Sequence, residues 1–173
     1  MTLGHIGVGT HSSCATLLLG AIHDPFQRGS PMTAVRPRDW TTWTVLVFGI
    51  VSIANVLWML AGPMHWYTDV PAAVPDTGPF NPHFVRDIGC AFLTAGVALV
   101  AADRVPRHRV PLAATAGLFL FAHAVLHAYD TLTGALGHDH WLLDLPGVYL
   151  PGLLIPWIAW RWHGEERDPV ARE

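Results

Sequence analysis

At 173 residues, with 51% hydrophobic and 13% charged residues, the chain has the length of one domain and is too apolar for an ordinary soluble surface. Eight Trp, 16 Gly and 14 Pro point the same way, because Trp collects at membrane interfaces and Gly and Pro are more frequent in membrane helices than in soluble ones. The net charge of -3 matters less than the placement of the ten basic residues, all Arg and dispersed along the chain, which gives no support to a nucleic-acid-binding face.

Residues 1–39 read as a cytoplasmic extension, mostly disordered. They lack a basic n-region, and their apolar run from Cys14 to Ile22 is too short to span a bilayer, so no cleaved signal peptide is expected. Met32 is a candidate natural start within this stretch. Cys14 and Cys90, the two cysteines, make no disulfide framework.

Crossing about 30 Å of hydrocarbon takes roughly 20 helical residues, and four segments meet that requirement. The first, 40–61, carries no charge and is flanked by Trp40 and Trp43 at one end and by Trp58, Trp66 and Tyr67 toward the other, a pattern of two aromatic belts. The connection from Gly62 to Pro82 holds five prolines and two glycines, which predicts an irregular outer loop. The second segment, 83–102, opens with Arg86 and Asp87 and continues as an apolar run; the third is 110–129. In the fourth, 141–162, Pro146, Pro151 and Pro156 recur every five residues, which predicts a helix kinked or locally unwound. A polar tail, 163–173, follows.

The arginines set the orientation, because short loops rich in basic residues stay cytoplasmic. Arg28, Arg36 and Arg38 precede the first segment, Arg104, Arg107 and Arg109 separate the second from the third, and Arg161, Arg167 and Arg172 end the fourth or follow it. The expected fold is therefore all-α: an integral membrane four-helix bundle, multi-pass in the cell inner membrane, with both termini cytoplasmic.

With that orientation the ionisable residues gather near the outer face. His83, Arg86 and Asp87 open the second segment, His123, His127 and Asp130 close the third, and His140 and Asp144 open the fourth, while the loops add His65, Asp69, Asp76, His138 and Asp139. Residues three, four and seven apart share a helix face, so His83, Asp87 and Cys90 form one stripe and His123, His127 and Asp130 another. Ionisable groups in a membrane segment are expensive and tend to turn inward, pair and mark a site.

Two imidazoles at i and i+4 with a carboxylate one turn on suit a metal ion, which makes His123, His127 and Asp130 candidate ligands. Mixed N and O donors fit Zn, Fe or Cu without distinguishing them. A haem between two histidines fits less well, since no CxxCH attachment motif is present. His83, Arg86, Asp87, His140 and Asp144 are candidates for a ligand or proton site, with Arg86 suited to an anionic group and Asp87 to orienting a histidine. The competing reading pairs Arg86 with Asp130 or Asp144 to hold helices together, or has Asp144 cap the fourth helix.

NPHFVRDIG opening the second segment, HAVLHAYDTLTG closing the third and HWLLDLPGV opening the fourth resemble small bacterial DoxX-like membrane proteins over roughly residues 40–160. The resemblance implies a four-helix bundle in a bacterial inner membrane with a redox or quinone-linked association. It supplies no catalytic residue, and the histidine density is this chain's own.

Two functions compete. One is a membrane protein whose outward-facing His/Asp pocket binds a metal ion or small ligand, as a redox-linked component for instance. The other is a structural or accessory subunit whose polar cluster stabilises helix packing or docks a partner. Expected partners are membrane lipids, with a membrane protein or a second copy of the chain as further candidates. No nucleophile with a partnered base stands out, so the residues do not decide whether the chain is an enzyme.

Overall fold

A computed structural model describes residues 38–167 of the chain, and every regular element among them is helical. In order these are α1 (Trp40–Ala61), α2 (Pro63–Asp69), a 3-10 turn (Val74–Thr77), α3 (Pro82–Arg104), a second 3-10 turn (Pro106–His108), α4 (Arg109–Thr133), α5 (His140–Leu143), a π turn (Leu145–Tyr149) and α6 (Leu150–Arg167). Three helical stretches are long and apolar enough to cross a membrane: Trp40–Ala61, Pro82–Arg104 and Pro106–Thr133. The expected N-terminal extension up to residue 37 and the end of the tail, 168–173, lie outside the described residues.

Local chemistry sets the helix ends. The Asp39 carboxylate accepts from the Thr42 backbone N–H at 2.9 Å, and Asn81 accepts from the N–H groups of His83 and Phe84, each satisfying donors that the first helical turn leaves unpaired. Gly134, at φ 79°, closes α4 in the left-handed conformation that glycine adopts without a Cβ penalty. The 62–82 connection departs from the irregular loop expected. Pro63 sits in the first turn of α2 and Pro75 in that of the 3-10 turn, where a missing N–H costs nothing, so these prolines start helical turns instead of preventing them.

The proline-spaced fourth segment is divided among α5, the π turn and α6. The Asp144 carbonyl accepts from both Val148 N–H, at 2.8 Å, and Tyr149 N–H, at 3.1 Å, where the i+5 bond widens the turn. Pro146 lies in this turn and Pro156 inside α6.

Between apolar helices in lipid there is no hydrophobic driving force, so close approach and dispersion hold the elements together. α1 packs on α3, α3 on α4 and α4 on α6. At the α1–α3 contact Gly49 faces Gly96, and a Cβ on either would stand about 3 Å from the other's carbonyl oxygen. α4 meets α6 through Gly117 against Pro156 and through Gly152 against Leu120 and Ala124. The core holds Val45, Leu99, Ala113, Ala116, Ile155, Ile158 and Trp162.

α6 returns to α1 at one end of the bundle. There Trp162 Nε1 donates to Thr41 Oγ1 at 3.0 Å and Trp40 stacks on Trp157. Arg109 lies 4.8 Å over the Trp162 ring and bonds Glu165 and Glu166, while Arg38 makes a two-pronged pair with Asp103 at 2.7 and 2.9 Å. Those hydrogen bonds raise the Arg38 pKa above its ordinary value.

Gly152→Val tests the α4–α6 contact, because a Cβ there would stand 2.6 Å from Ala124 Cβ and 2.9 Å from the Leu120 carbonyl oxygen. The variant loses about 1–3 kcal/mol of stability. Thermal unfolding in detergent reads this as a lowered midpoint, with Gly147→Ala, whose added Cβ meets nothing within 4 Å, staying near wild type.

Candidate functional site

At the other end of the bundle the helices and the 62–82 connection border a partly open cavity of about 890 Å³. α1 contributes Ser52 and Asn55, α2 Trp66 and Tyr67, α3 Phe84 and Phe92, α4 His123, His127 and Asp130, and the fourth segment Asp144 and Val148. The lining is mostly apolar and aromatic, with imidazoles and carboxylates concentrated on the wall built by α4 and the fourth segment.

Asp144 is the centre of that wall. Its side chain is 1% exposed, and one oxygen, Oδ2, lies 2.8 Å from His127 Nδ1 and 3.2 Å from His140 Nδ1. A buried carboxylate needs donors, and an ionised one can only accept, so both rings direct an Nδ1 proton at it. The wide turn starting at Asp144 lets residue 144 project toward α4 while remaining one helical turn from His140. The competing helix-capping reading is not what the structure shows: the side chain makes no cap bond, because the two imidazoles occupy it.

His140 is fully buried, and its second nitrogen, Nε2, has no hydrogen bond, lying 3.5 Å from Oδ2 of Asp76 on the 3-10 turn. His127 is held further by its backbone, whose carbonyl accepts from the buried Thr131 hydroxyl at 2.9 Å. The His123 ring meets His127 edge-on at 4.6 Å between centroids, stacks on Phe119 and meets Phe92 edge-on. Asp130 lines the cavity, and its carboxylate has no hydrogen bond or ion pair among the described residues.

The structure therefore brings His123, His127 and Asp130 of α4 together with His140 and Asp144 of the fourth segment. It does not bring His83, Arg86 and Asp87 to them. The α3 face that packs inward is Val85, Gly89, Gly96 and Leu99, and a 100° step per residue puts His83, Asp87 and Cys90 outside. His83 and Asp87 pair with each other at 3.3 Å with side chains 86% and 63% exposed. Arg86 is exposed and has no partner among the described residues, so the pairing of Arg86 with Asp130 or Asp144 is absent. Among the described residues no group of three or more His, Cys, Asp or Glu is placed to hold a metal ion. The reason lies in the aim of the side chains, since His127 turns to Asp144 and not toward a centre shared with His123 and Asp130.

One polar contributor, Asn55, was not singled out from the sequence, and its partner Trp66 was read there only as part of an aromatic belt. Asn55 Oδ1 accepts from Trp66 Nε1 at 2.8 Å, and its amide reaches Met59 Sδ at 3.5 Å. Asn55 is the sole amide in the apolar α1 run, a signal available from residue type alone.

No family model, curated protein or solved structure matches the chain. What the site can do follows from its own chemistry. A partly open cavity, mostly apolar in its lining and with its imidazoles and carboxylates on one wall, has the make-up common to small-molecule sites.

Replacing His127 and Asp144 by Leu, singly and together, tests the network. A double-mutant cycle in detergent unfolding gives a coupling of about 0.5–3 kcal/mol. His83→Ala, on the outer face of α3, changes stability by no more than about 0.5 kcal/mol.

Proposed function

We propose that this chain is a multi-pass protein of the bacterial inner membrane that binds a small amphipathic molecule in the His/Asp-lined cavity, which faces the outer leaflet. It crosses four times, α5, the π turn and α6 together making the fourth crossing, with both termini cytoplasmic. The arginine distribution supports that orientation, and the DoxX-like sequence pattern accords with a redox-linked setting for the ligand.

The observation that carries the binding reading is the cavity: about 890 Å³ of space, mostly apolar in lining, with the polar groups on one wall. That size falls within the few hundred to about 1,000 Å³ usual for small-molecule sites. Between the two occupants considered, small molecule and metal ion, the geometry favours the first, because His123, His127 and Asp130 share a cavity without converging on a point.

A second reading draws on the same contacts. The Asp144 carboxylate joins α4 to the fourth segment through His127, so the cluster could serve a structural or accessory subunit by locking helices together. In that case the cavity is a packing defect filled by lipid chains.

Native mass spectrometry of detergent-purified protein separates these readings. A retained small molecule of defined mass, lost when Ala72→Trp and Val74→Trp fill the cavity, supports binding; no adduct beyond heterogeneous lipid overturns it. Elemental analysis in parallel gives no stoichiometric metal, whereas metal lost in a His123→Ala/His127→Ala variant would put a metal ion in place of the small molecule. For orientation, a C-terminal fluorescent-protein fusion is bright, and an alkaline phosphatase fusion at that end is inactive.

A further inference from the structure

Resting on the ligand-binding reading, we infer that the polar end of the ligand is a neutral hydroxyl, phenolic or alcoholic, which donates its hydrogen bond to Nε2 of His127. Asp144 acts as a positioning residue that prepares this nitrogen to accept.

The argument starts from one proton. Asp144 Oδ2 is 2.8 Å from His127 Nδ1, and a carboxylate that can only accept holds the His127 proton on Nδ1. A neutral ring with its proton there presents a lone pair at Nε2. That atom has no hydrogen bond among the described residues, and it is not one of the fully buried polar atoms left without a partner, which are His140 Nε2 and Tyr149 Oη. With His127 on the cavity wall, Nε2 is the acceptor open to an occupant.

Several other polar groups of the lining are already engaged, and none of them offers a cation to an anion. Trp66 Nε1 is engaged with Asn55, the Asn55 amide with Met59, and the Tyr67 hydroxyl with the Gly78 carbonyl at 2.7 Å. The unused polar groups that can only accept are His127 Nε2, with its ring proton on Nδ1, and the Asp130 carboxylate, while the Ser52 hydroxyl, the Asn81 amide and the His123 ring can donate as well. No arginine lines the cavity, so an anionic end would meet Asp130 and Asp144 without a compensating cation. An ammonium end would surrender its hydration among aromatic and aliphatic walls, a far larger loss than desolvating a hydroxyl. A neutral donor on an apolar body matches both features.

Four probes of similar size test this on the full chain in nanodiscs: 4-octylphenol, 4-octylanisole, octylamine and octanoate, with affinities from calorimetry corrected for empty nanodiscs. 4-Octylphenol binds about tenfold more tightly than 4-octylanisole, the value of one well-placed hydrogen bond. His127→Leu lowers the phenol to the level of the ether and leaves the ether unchanged. Asp144→Asn, whose amide donates to Nδ1, moves the ring proton to Nε2 and abolishes the phenol preference. Histidine ¹⁵N spectra of the same samples show the change from the Nδ1–H to the Nε2–H tautomer, which a merely structural effect would not produce. Where Asp144→Asn yields no folded protein, wild type and His127→Leu decide by themselves. Equal affinity for phenol and ether in the wild type, or tighter binding of octylamine or octanoate, overturns the headgroup assignment alone. Binding of none of the four overturns the cavity reading and this inference with it.

Discussion

A carboxylate taken out of water must be met by donors, and at the wide end of this bundle the demand falls on Asp144. Two imidazoles meet it, one from the neighbouring helix α4 and one from its own preceding turn. That single requirement fixes much else. It draws the start of the fourth segment against α4 and sets the ring plane of His127. It also leaves His140 enclosed, with only Asp76 beyond it. The π turn is the backbone counterpart: its two hydrogen bonds to the Asp144 carbonyl anchor the residue whose side chain faces α4.

The two ends of the molecule use polar residues differently. At the end where α6 meets α1, arginines pair with nearby acids and lie over tryptophan rings, and the helices are held in contact. At the other end the polar groups line a space. Small residues make this division possible. Gly49 and Gly96 bring α1 and α3 together, while Gly117 and Gly152 admit Pro156 and the α4 backbone at short range. These contacts draw the helices close, and the volume they do not fill lies beneath the 62–82 connection.

The histidines divide along the same lines. His127 and His140 owe their arrangement to Asp144, and His123 to aromatic neighbours, since its ring lies among Phe92, Phe119 and His127. His83 has only its own i+4 carboxylate and points away from the bundle. Equal spacing along a helix thus produced unequal roles, because spacing sets which residues share a face but not which way that face turns.

From the sequence alone the helical character, three of the four expected apolar spans and the i,i+4 pairs His123 with His127 and His140 with Asp144 were legible, because composition and the 3.6-residue period act within one segment at a time. The prolines of the 62–82 connection misled, since the same residue that breaks a helix interior is welcome in its first turn. Tertiary structure alone decided that the second-segment cluster faces outward and that Asp144 chooses imidazoles over Arg86 or a helix cap. It also decided that Asn55, Trp66 and the α4 histidines border one cavity. Each of these depends on the rotation of a helix about its axis and on the gap left between neighbours, quantities set by side-chain packing between segments distant in the chain.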